Sequence, residues 1–372
     1  DSVKIMSTDS NVEFIGEYRA EIKQEGFIGT PGRRITDLIK KLRSGPITIK
    51  SSPDKEIILV KQDKRFFKLP LSDSSWFPEL DEFPEDGDIA VFSGDKLRDI
   101  LEKSLFCISD DDTMQGMTCL KIALKEASMN NPQNDVPDPS LSGSDGEAEE
   151  PESRVEACAF NGHQLSLYTF ETAELRQILP EKGVLIPKKY LLDLRKWIPA
   201  EELEICITET KIFLRTIDKR ESFSLPLSMH QFPNYRDFIN TYSNKLDTPM
   251  LVNKDELVES LERILIFNTD SQQSTLMKLG SSEIKMTSTA ADSGEAEEIV
   301  PCKYSGRVEQ IYFNTKGLLE LMGHIDEDTV MFRFSGSVEP CKINGATNEE
   351  YFVMTMPVQI EEETYYTEEE ME

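Results

Sequence analysis

Three stretches of the chain spell one pattern: GTPGRRITDLIKKL from Gly29, LIPKKYLLDLRKWI from Leu185 and YFNTKGLLELMGHI from Tyr312. Each opens on an extended stub, passes a Thr, Pro or Asn start signal and then sets apolar residues at helical spacing. The expected apolar face is Ile35, Leu38, Ile39 and Leu42 in the first copy, and Leu191, Leu192 and Leu194 in the second. In the third it is Leu318, Leu319 and Met322. Recurrence of this kind governs the architecture, because each copy is one supersecondary unit that buries its apolar face only with its neighbours.

Working outward, the flanks repeat as well. RFFKLPLSDSSWFPEL from Arg65 and SFSLPLSMHQFPNYRDF from Ser222 read as strands ending in a Phe-Pro turn, and EEYFVMTMPVQI from Glu349 is a shortened third version. Ahead of the helices lie VKIMSTDSNVEFIGEYRAEI from Val3, VEACAFNGHQLSLYTFETAEL from Val155 and EIKMTSTAADSGEAEEIVPCKYSG from Glu283, which alternate apolar and polar residues as half-exposed strands do. An opening helix occurs twice, FSGDKLRDILEKSLFCI from Phe92 and LVNKDELVESLERILIF from Leu251, with Ser93 and Asn253 as N-caps. Copy one starts at the strand pair that should follow such a helix, so by the count of copy three a few tens of residues at the front of copy one are expected to be missing. The order of elements predicts an α+β chain of three repeated domains, each with helices on one face of a mostly antiparallel sheet. Their expected spans are 1–86, 87–245 and 246–360.

Charge is the unusual term. The 372 residues hold 69 acids against 41 bases, a net charge of −28, which argues against a protein that coats nucleic acid over its whole surface. Two segments, 127–156 and 361–372, are dense in acids, and the first holds almost no large apolar residue. They offer too little burial to offset ordering entropy, so an insert at about 127–153 and the tail 361–372 are expected to be disordered. No run approaches the ~18 apolar residues of a membrane span, and the opening DSVKIMSTDS has no apolar core of a signal peptide, so export is not expected.

Catalytic chemistry finds few parts. The six cysteines, at 107, 119, 158, 206, 302 and 341, form no C-x-x-C pair and read as buried free thiols. His163, His230 and His324 stand too far apart in sequence to seed a metal site, and no phosphate-loop, dinucleotide, nucleophile-elbow or zincin motif occurs. His163 reads as a packed, hydrogen-bonded histidine; a hydrolase built on it with nearby carboxylates lacks a nucleophile. No catalytic residue, metal or cofactor is expected.

The bases are not spread evenly. Arg33, Arg34, Lys40, Lys41 and Arg43 face one acid, Asp37, in the first repeated helix, and Lys188, Lys189, Arg195 and Lys196 face Asp193 in the second. Lys96, Arg98 and Lys103 are diluted by Asp95, Asp99 and Glu102, and the third helix offers only Lys316 and His324. Two equivalent basic helices in so acidic a chain point to one face that attracts phosphates. With no zinc finger or helix-turn-helix signature, such contacts would be to backbone and not to base edges.

FPELDEF at Phe77, GHQLSLY at Gly162, QFPNYRDF at Gln231, YFNTKGLLELM at Tyr312 and YFVMTMPVQI at Tyr351, in this order and spacing, resemble the bacterial DNA polymerase III beta subunit family, the replication sliding clamps. The resemblance covers residues 1–360. It implies three DNA-clamp domains forming half of a closed ring, a head-to-tail homodimer around double-stranded DNA, and sequence-independent contacts from Arg33, Arg34, Lys40, Lys41, Arg43, Gln115, Lys188, Lys189, Arg195 and Lys196. It implies a non-catalytic processivity factor in the cytoplasm, associated with the nucleoid and with no membrane. Expected partners are the DNA polymerase III alpha subunit, the clamp loader delta subunit and other proteins with motifs of the Q-L-x-L-F kind. These motifs would enter a pocket between domains two and three that includes Met114, Met117, Phe160, Gly162, His163, Leu165, Pro233, Phe238, Pro340, Met354, Met356, Pro357 and Val358. The ring seam implicates Phe67 against Ile266 and Phe267. The chain departs from the family at Thr113-Met114-Gln115-Gly116, where a basic residue and tyrosines are usual, at Phe160, where a small hydroxyl residue is common, and at Gln359-Ile360 in place of Arg-Leu. The alternative is an acidic, repeat-built scaffold that binds proteins through the same pocket without encircling DNA.

Overall fold

The computed structural model of the chain describes residues 1–52, 56–125, 154–269, 273–288 and 294–359. The insert at 127–153 and the tail 361–372 lie outside these residues. In chain order the elements are β1 (Ser2–Thr8), β2 (Glu13–Arg19), α1 (Gly32–Lys41), β3 (Thr48–Ser52), β4 (Ile57–Gln62), β5 (Arg65–Pro70), β6 (Ile89–Ser93), α2 (Gly94–Ser104) and β7 (Cys119–Leu124). Next come β8 (Arg154–Phe160), β9 (Gln164–Glu171), α3 (Ala173–Ile178), β10 (Val184–Pro187), α4 (Lys188–Trp197), β11 (Glu202–Ile207), β12 (Lys211–Thr216), β13 (Glu221–Pro226) and α5 (Tyr235–Ser243). The last are β14 (Met250–Asn253), α6 (Lys254–Leu265), β15 (Ser274–Leu279), β16 (Glu283–Ser288), β17 (Glu297–Lys303), β18 (Gln310–Asn314), α7 (Thr315–Met322), β19 (Thr329–Phe334), β20 (Cys341–Gly345) and β21 (Tyr351–Thr355). They form two compact units, Asp1–Val91 with Glu201–Pro226, and Phe92–Ala200 with Leu227–Glu372.

The first unit holds a six-stranded sheet in the order β1-β2-β13-β12-β11-β6 and a three-stranded sheet β3-β4-β5. Strands of different repeat copies therefore join edge to edge, with β2 pairing β13 so that Phe14 faces Phe223. Two cations four residues apart on β12 fasten the connection between β5 and β6 to this sheet. Lys211 reaches Glu13 at 3.0 Å and Asp81 at 2.6 Å. Arg215 is buried, pairs with Glu204 at 2.6 Å and with Glu85, and lies over the Phe83 ring at 3.9 Å. The expected apolar face of α1 is not buried: no α1 residue is, and Ile39 is 39% exposed. In the other copies the equivalent helix packs on an opening helix, α4 on α2 and α7 on α6. Among the described residues α1 has no such neighbour in its unit, so its stripe has nothing to bury against.

The second unit is built on twelve antiparallel strands in the order β10-β7-β8-β9-β21-β20-β19-β14-β17-β16-β15-β18. Ser93 and Asn253 cap α2 and α6 as expected, accepting from the amides of Lys96 (3.3 Å) and Glu256 (3.0 Å). Asn314 does the same for α7 through Gly317 at 2.8 Å. On α4 the buried stripe is Tyr190, Leu191 and Leu194, whereas Leu192 is exposed. At 3.6 residues per turn Leu192 lies about 200° around the helix from Leu194, outside the face that meets the sheet. On α7 Leu318, Leu321 and Met322 are buried and Leu319 is half-buried. All six thiols are free and buried. No described helix is long and apolar enough to cross a membrane.

Candidate partner pocket and nucleic-acid surface

Alternate residues of a strand share a face, so Cys158 and Phe160 on β8, Leu165 and Leu167 on β9, and Phe352 and Met354 on β21 line one side of the large sheet. The register sets them in rows, with Leu165 opposite both Phe160 and Met354. The helix α5 covers this side. It follows the Phe-Pro turn, is capped by Asn234 accepting from the Asp237 amide at 3.3 Å, and sets Tyr235, Phe238, Ile239 and Tyr242 at i, i+3, i+4 and i+7. These side chains and Phe232 pack with the strand residues in one apolar cluster. Phe238 lies between Phe160 and Tyr242, with ring centroids 5.7 and 5.2 Å away.

A polar anchor holds the start of α5. The Glu156 carboxylate, buried two residues before Cys158, accepts from the Tyr235 hydroxyl at 2.8 Å and from Arg236 Nη2 at 2.9 Å. Arg236 Nη2 also donates to the Leu124 carbonyl at 2.8 Å. Burial, reinforced by the Glu156 charge, pushes the Tyr235 hydroxyl far above its ordinary pKa, so it remains a donor.

Of the residues expected in the pocket, Phe160, Leu165, Phe238 and Met354 meet in this cluster. Met117 lies in a short 3-10 turn, Gln115–Thr118, and its methyl stands 3.7 Å from where a Cβ on Gly162 would be. Gly162 has φ +90°, a conformation that favours glycine. A side chain at Gly116 would fall 2.0 Å from the Gln231 carbonyl oxygen, so the turn rests directly on the chain leading to Phe232 and Pro233. Met114 and Gln115 are exposed and Pro233 is half-buried. His163 corrects an expectation, because it is exposed instead of packed. Its amide donates to Asn161 Oδ1 at 3.0 Å and its carbonyl accepts from Met356 at 2.8 Å, so the backbone is what the fold uses. Pro340 and Pro357 are buried, Met356 and Val358 half-buried, and the Val358 amide donates to the Tyr312 carbonyl at 2.8 Å. Cys158, Leu167, Phe232, Tyr235, Ile239, Tyr242 and Phe352 were absent from the expected set, although the helical spacing in YRDFINTY carries the signal for the α5 members. No cluster of metal-ligating side chains occurs among the described residues.

The basic residues divide into two classes. Arg33, Arg34, Lys40, Lys41 and Arg43 are exposed, and the described residues give none of them an ion-pair partner. The bases of α4 are mostly engaged. Lys188, largely buried, pairs with Asp110 at 2.8 Å and donates to the Ile108 carbonyl; Arg195 meets Glu102 at 3.3 Å and Lys196 meets Asp193 at 2.8 Å. Lys189 lies over the Tyr190 ring. On α2, Lys103 is held by Asp99 and Asp326, Lys96 donates to the Tyr168 hydroxyl, and Arg98 pairs with Asp95. Of the expected seam residues, Phe67 is half-buried on β5, an edge strand of its sheet, beside Phe66 at 65% exposure. Ile266 is 77% exposed just past α6, and Phe267 is half-buried.

Comparison with known proteins bears on the family and the fold. The N-terminal domain profile of the DNA polymerase III beta subunit matches residues 1–81, and its C-terminal domain profile matches residues 244–359. The beta sliding clamp of Pseudomonas aeruginosa is 21% identical over 359 residues, 96% of this chain and 89% of that protein. That of Caulobacter vibrioides is 22% identical over 97% of this chain and 90% of its own length. Among solved structures, the sliding clamp from Bartonella birtlesii bound to griselimycin has a TM-score of 0.80 at 23% identity, covering 96% of this chain and 89% of that one. The beta clamp of Caulobacter crescentus has a TM-score of 0.79 at 20% identity, covering 97% and 89%. With profiles of a single family at both ends, together spanning more than half of its residues, the chain belongs to the DNA polymerase III beta subunit family.

Proposed function

We propose that the chain is a sliding clamp, a non-catalytic subunit that encircles duplex DNA as a head-to-tail dimer and tethers the replicative polymerase for processive synthesis. The observation that carries this is the match to curated beta sliding clamps across 96% of the chain. In this reading residues 1–86, 87–245 and 246–360 are the three clamp domains, and the apolar cluster at the β9–β21 junction takes short segments of the polymerase alpha subunit, the loader delta subunit and other partners. The exposed bases of α1 supply sequence-independent phosphate contacts, which let a ring slide because no base identity makes a deep energy well. The bases of α4 contribute less, since Asp110, Glu102 and Asp193 already neutralise three of them. Ile266, Phe267 and the β5 edge with Phe67 form the seam. The protein works in the cytoplasm, at the nucleoid. A scaffold that never meets DNA leaves the unpaired bases of α1 without a role.

Light scattering tests the proposal. A mass of twice 42.4 kDa, with saturable binding of a fluorescent Gln-Leu-Ser-Leu-Phe peptide, is the expected result. A monomer that ignores the peptide overturns it.

A further inference from the structure

The row of side chains that floors the apolar cluster does not end at β21. Following the register across five strands, Phe160 faces Leu165, Leu165 faces Met354, Met354 faces Lys342, and Lys342 faces Arg333. One face of the sheet thus passes from aromatic and aliphatic to doubly cationic within five strands. Lys342 is half-buried, and its ammonium lies 4.2 Å from the centroid of Phe352, itself a member of the cluster. No carboxylate stands within ion-pair distance of Lys342 among the described residues, while Arg333 is paired with Glu349 at 3.4 Å. Like charges directly opposite on neighbouring strands repel, so this end of the row is short of one anion.

We infer that Lys342 is a specificity-determining residue of the partner pocket, receiving a carboxylate from an acidic side chain of the same short segment whose apolar residues pack against the half-buried members of the cluster. The inference rests on the clamp reading of that pocket and adds a chemical requirement to it. Burial and the neighbouring Arg333 draw the Lys342 ammonium below its ordinary pKa, against the opposing pull of Glu349, and an incoming carboxylate relieves that deficit. Geometry sets the spacing. Strands lie ~4.8 Å apart, so Lys342 is about 10 Å from Leu165, the reach of about three residues of extended peptide. Leu165 itself is fully buried beneath α5, so the segment's apolar residue packs at the margin of the cluster and the acidic residue sits about three positions from it.

The test uses the full chain and fluorescein-labelled peptides containing Gln-Leu-Ser-Leu-Phe, with Glu or Gln three residues before the first Leu or three residues after the Phe. At one of the two positions Glu binds about five-fold tighter than Gln, as for a partly desolvated ion pair, and added salt narrows the ratio. Lys342→Met keeps an apolar stem over Phe352 and abolishes the preference, so that Glu and Gln peptides bind it alike; Lys342→Arg retains the preference. Equal affinities for Glu and Gln at both positions, or a preference that survives Lys342→Met, overturn the inference alone. Failure of every peptide, the Gln versions included, overturns the pocket reading and the inference with it.

Discussion

Replacing Arg236 by Met tests whether the polar anchor under α5 sets the wall of the pocket. The guanidinium contacts Glu156 through Nη2 at 2.9 Å and Nε at 3.3 Å, and it satisfies the Leu124 carbonyl. Methionine preserves much of the apolar stem and removes these bonds. Among the described residues Glu156, only 5% exposed, then keeps the Tyr235 hydroxyl at 2.8 Å as its side-chain partner. Removing one member of a buried pair costs about 3 kcal/mol, chiefly through the charge left behind. At ~2–4 °C per kcal/mol for a unit of this size, the melting temperature falls by roughly 6–12 °C. If the stranded charge is the cause, adding Glu156→Gln to Arg236→Met restores at least about 1 kcal/mol, a coupling that independent sites do not show. Thermal and urea unfolding of the full chain, followed by circular dichroism, report both quantities. Peptide affinity falls in parallel, because Tyr235 and Phe238 shift with the helix. A single variant within about 0.5 kcal/mol of the parent, or a double variant no more stable than the single, refutes the reasoning.

Replacing Arg33, Arg34, Lys40 and Lys41 by Gln lowers the slope of log affinity against log salt for duplex DNA by up to ~3.6 per protomer, at ~0.9 per phosphate contact, with little loss of stability because none is ion-paired among the described residues. Anisotropy titrations across salt concentrations measure it, and an unchanged slope removes α1 from the DNA surface. His324 stacks on Phe106 with centroids 4.1 Å apart, and burial draws its pKa below the usual 6.5 despite nearby Glu320, Glu102 and Asp326. The unfolded chain therefore takes up this proton first, so stability declines as pH falls below 6.5. His324→Phe keeps the stack and lessens that decline; urea unfolding midpoints that follow pH identically in both proteins contradict it.

Periodicity in the sequence was enough to locate the repeated helices, and Ser93 and Asn253 marked the starts of α2 and α6 because capping is a local event. Partners distant in sequence were not legible. Nothing in KKYLLDLRKW says that Lys188 will be met by Asp110, or that α1, with an equally good stripe, will find no helix beside it among the described residues of its unit. The pocket shows the same division. Phe160, Leu165, Phe238 and Met354 were identified through resemblance, but the joining of β9 to β21 depends on register between strands far apart in the chain, as does the placing of Lys342 beside Met354. His163 was misjudged because exposure depends on how the turn at Gly162 is presented, which composition does not encode.

The junction of β9 with β21 also bears on when a newly made chain becomes competent. Residues 164–171 leave the ribosome long before residues 351–355, which complete the floor and bring Phe352 and Met354 to the cluster. Until then β9 presents an unpaired edge beside Leu165 and Leu167, the kind of exposed strand that invites wrong pairing during synthesis. If the clamp reading of this site holds, a nascent chain cannot recruit partners through it, and recruitment is confined to molecules whose translation is nearly finished.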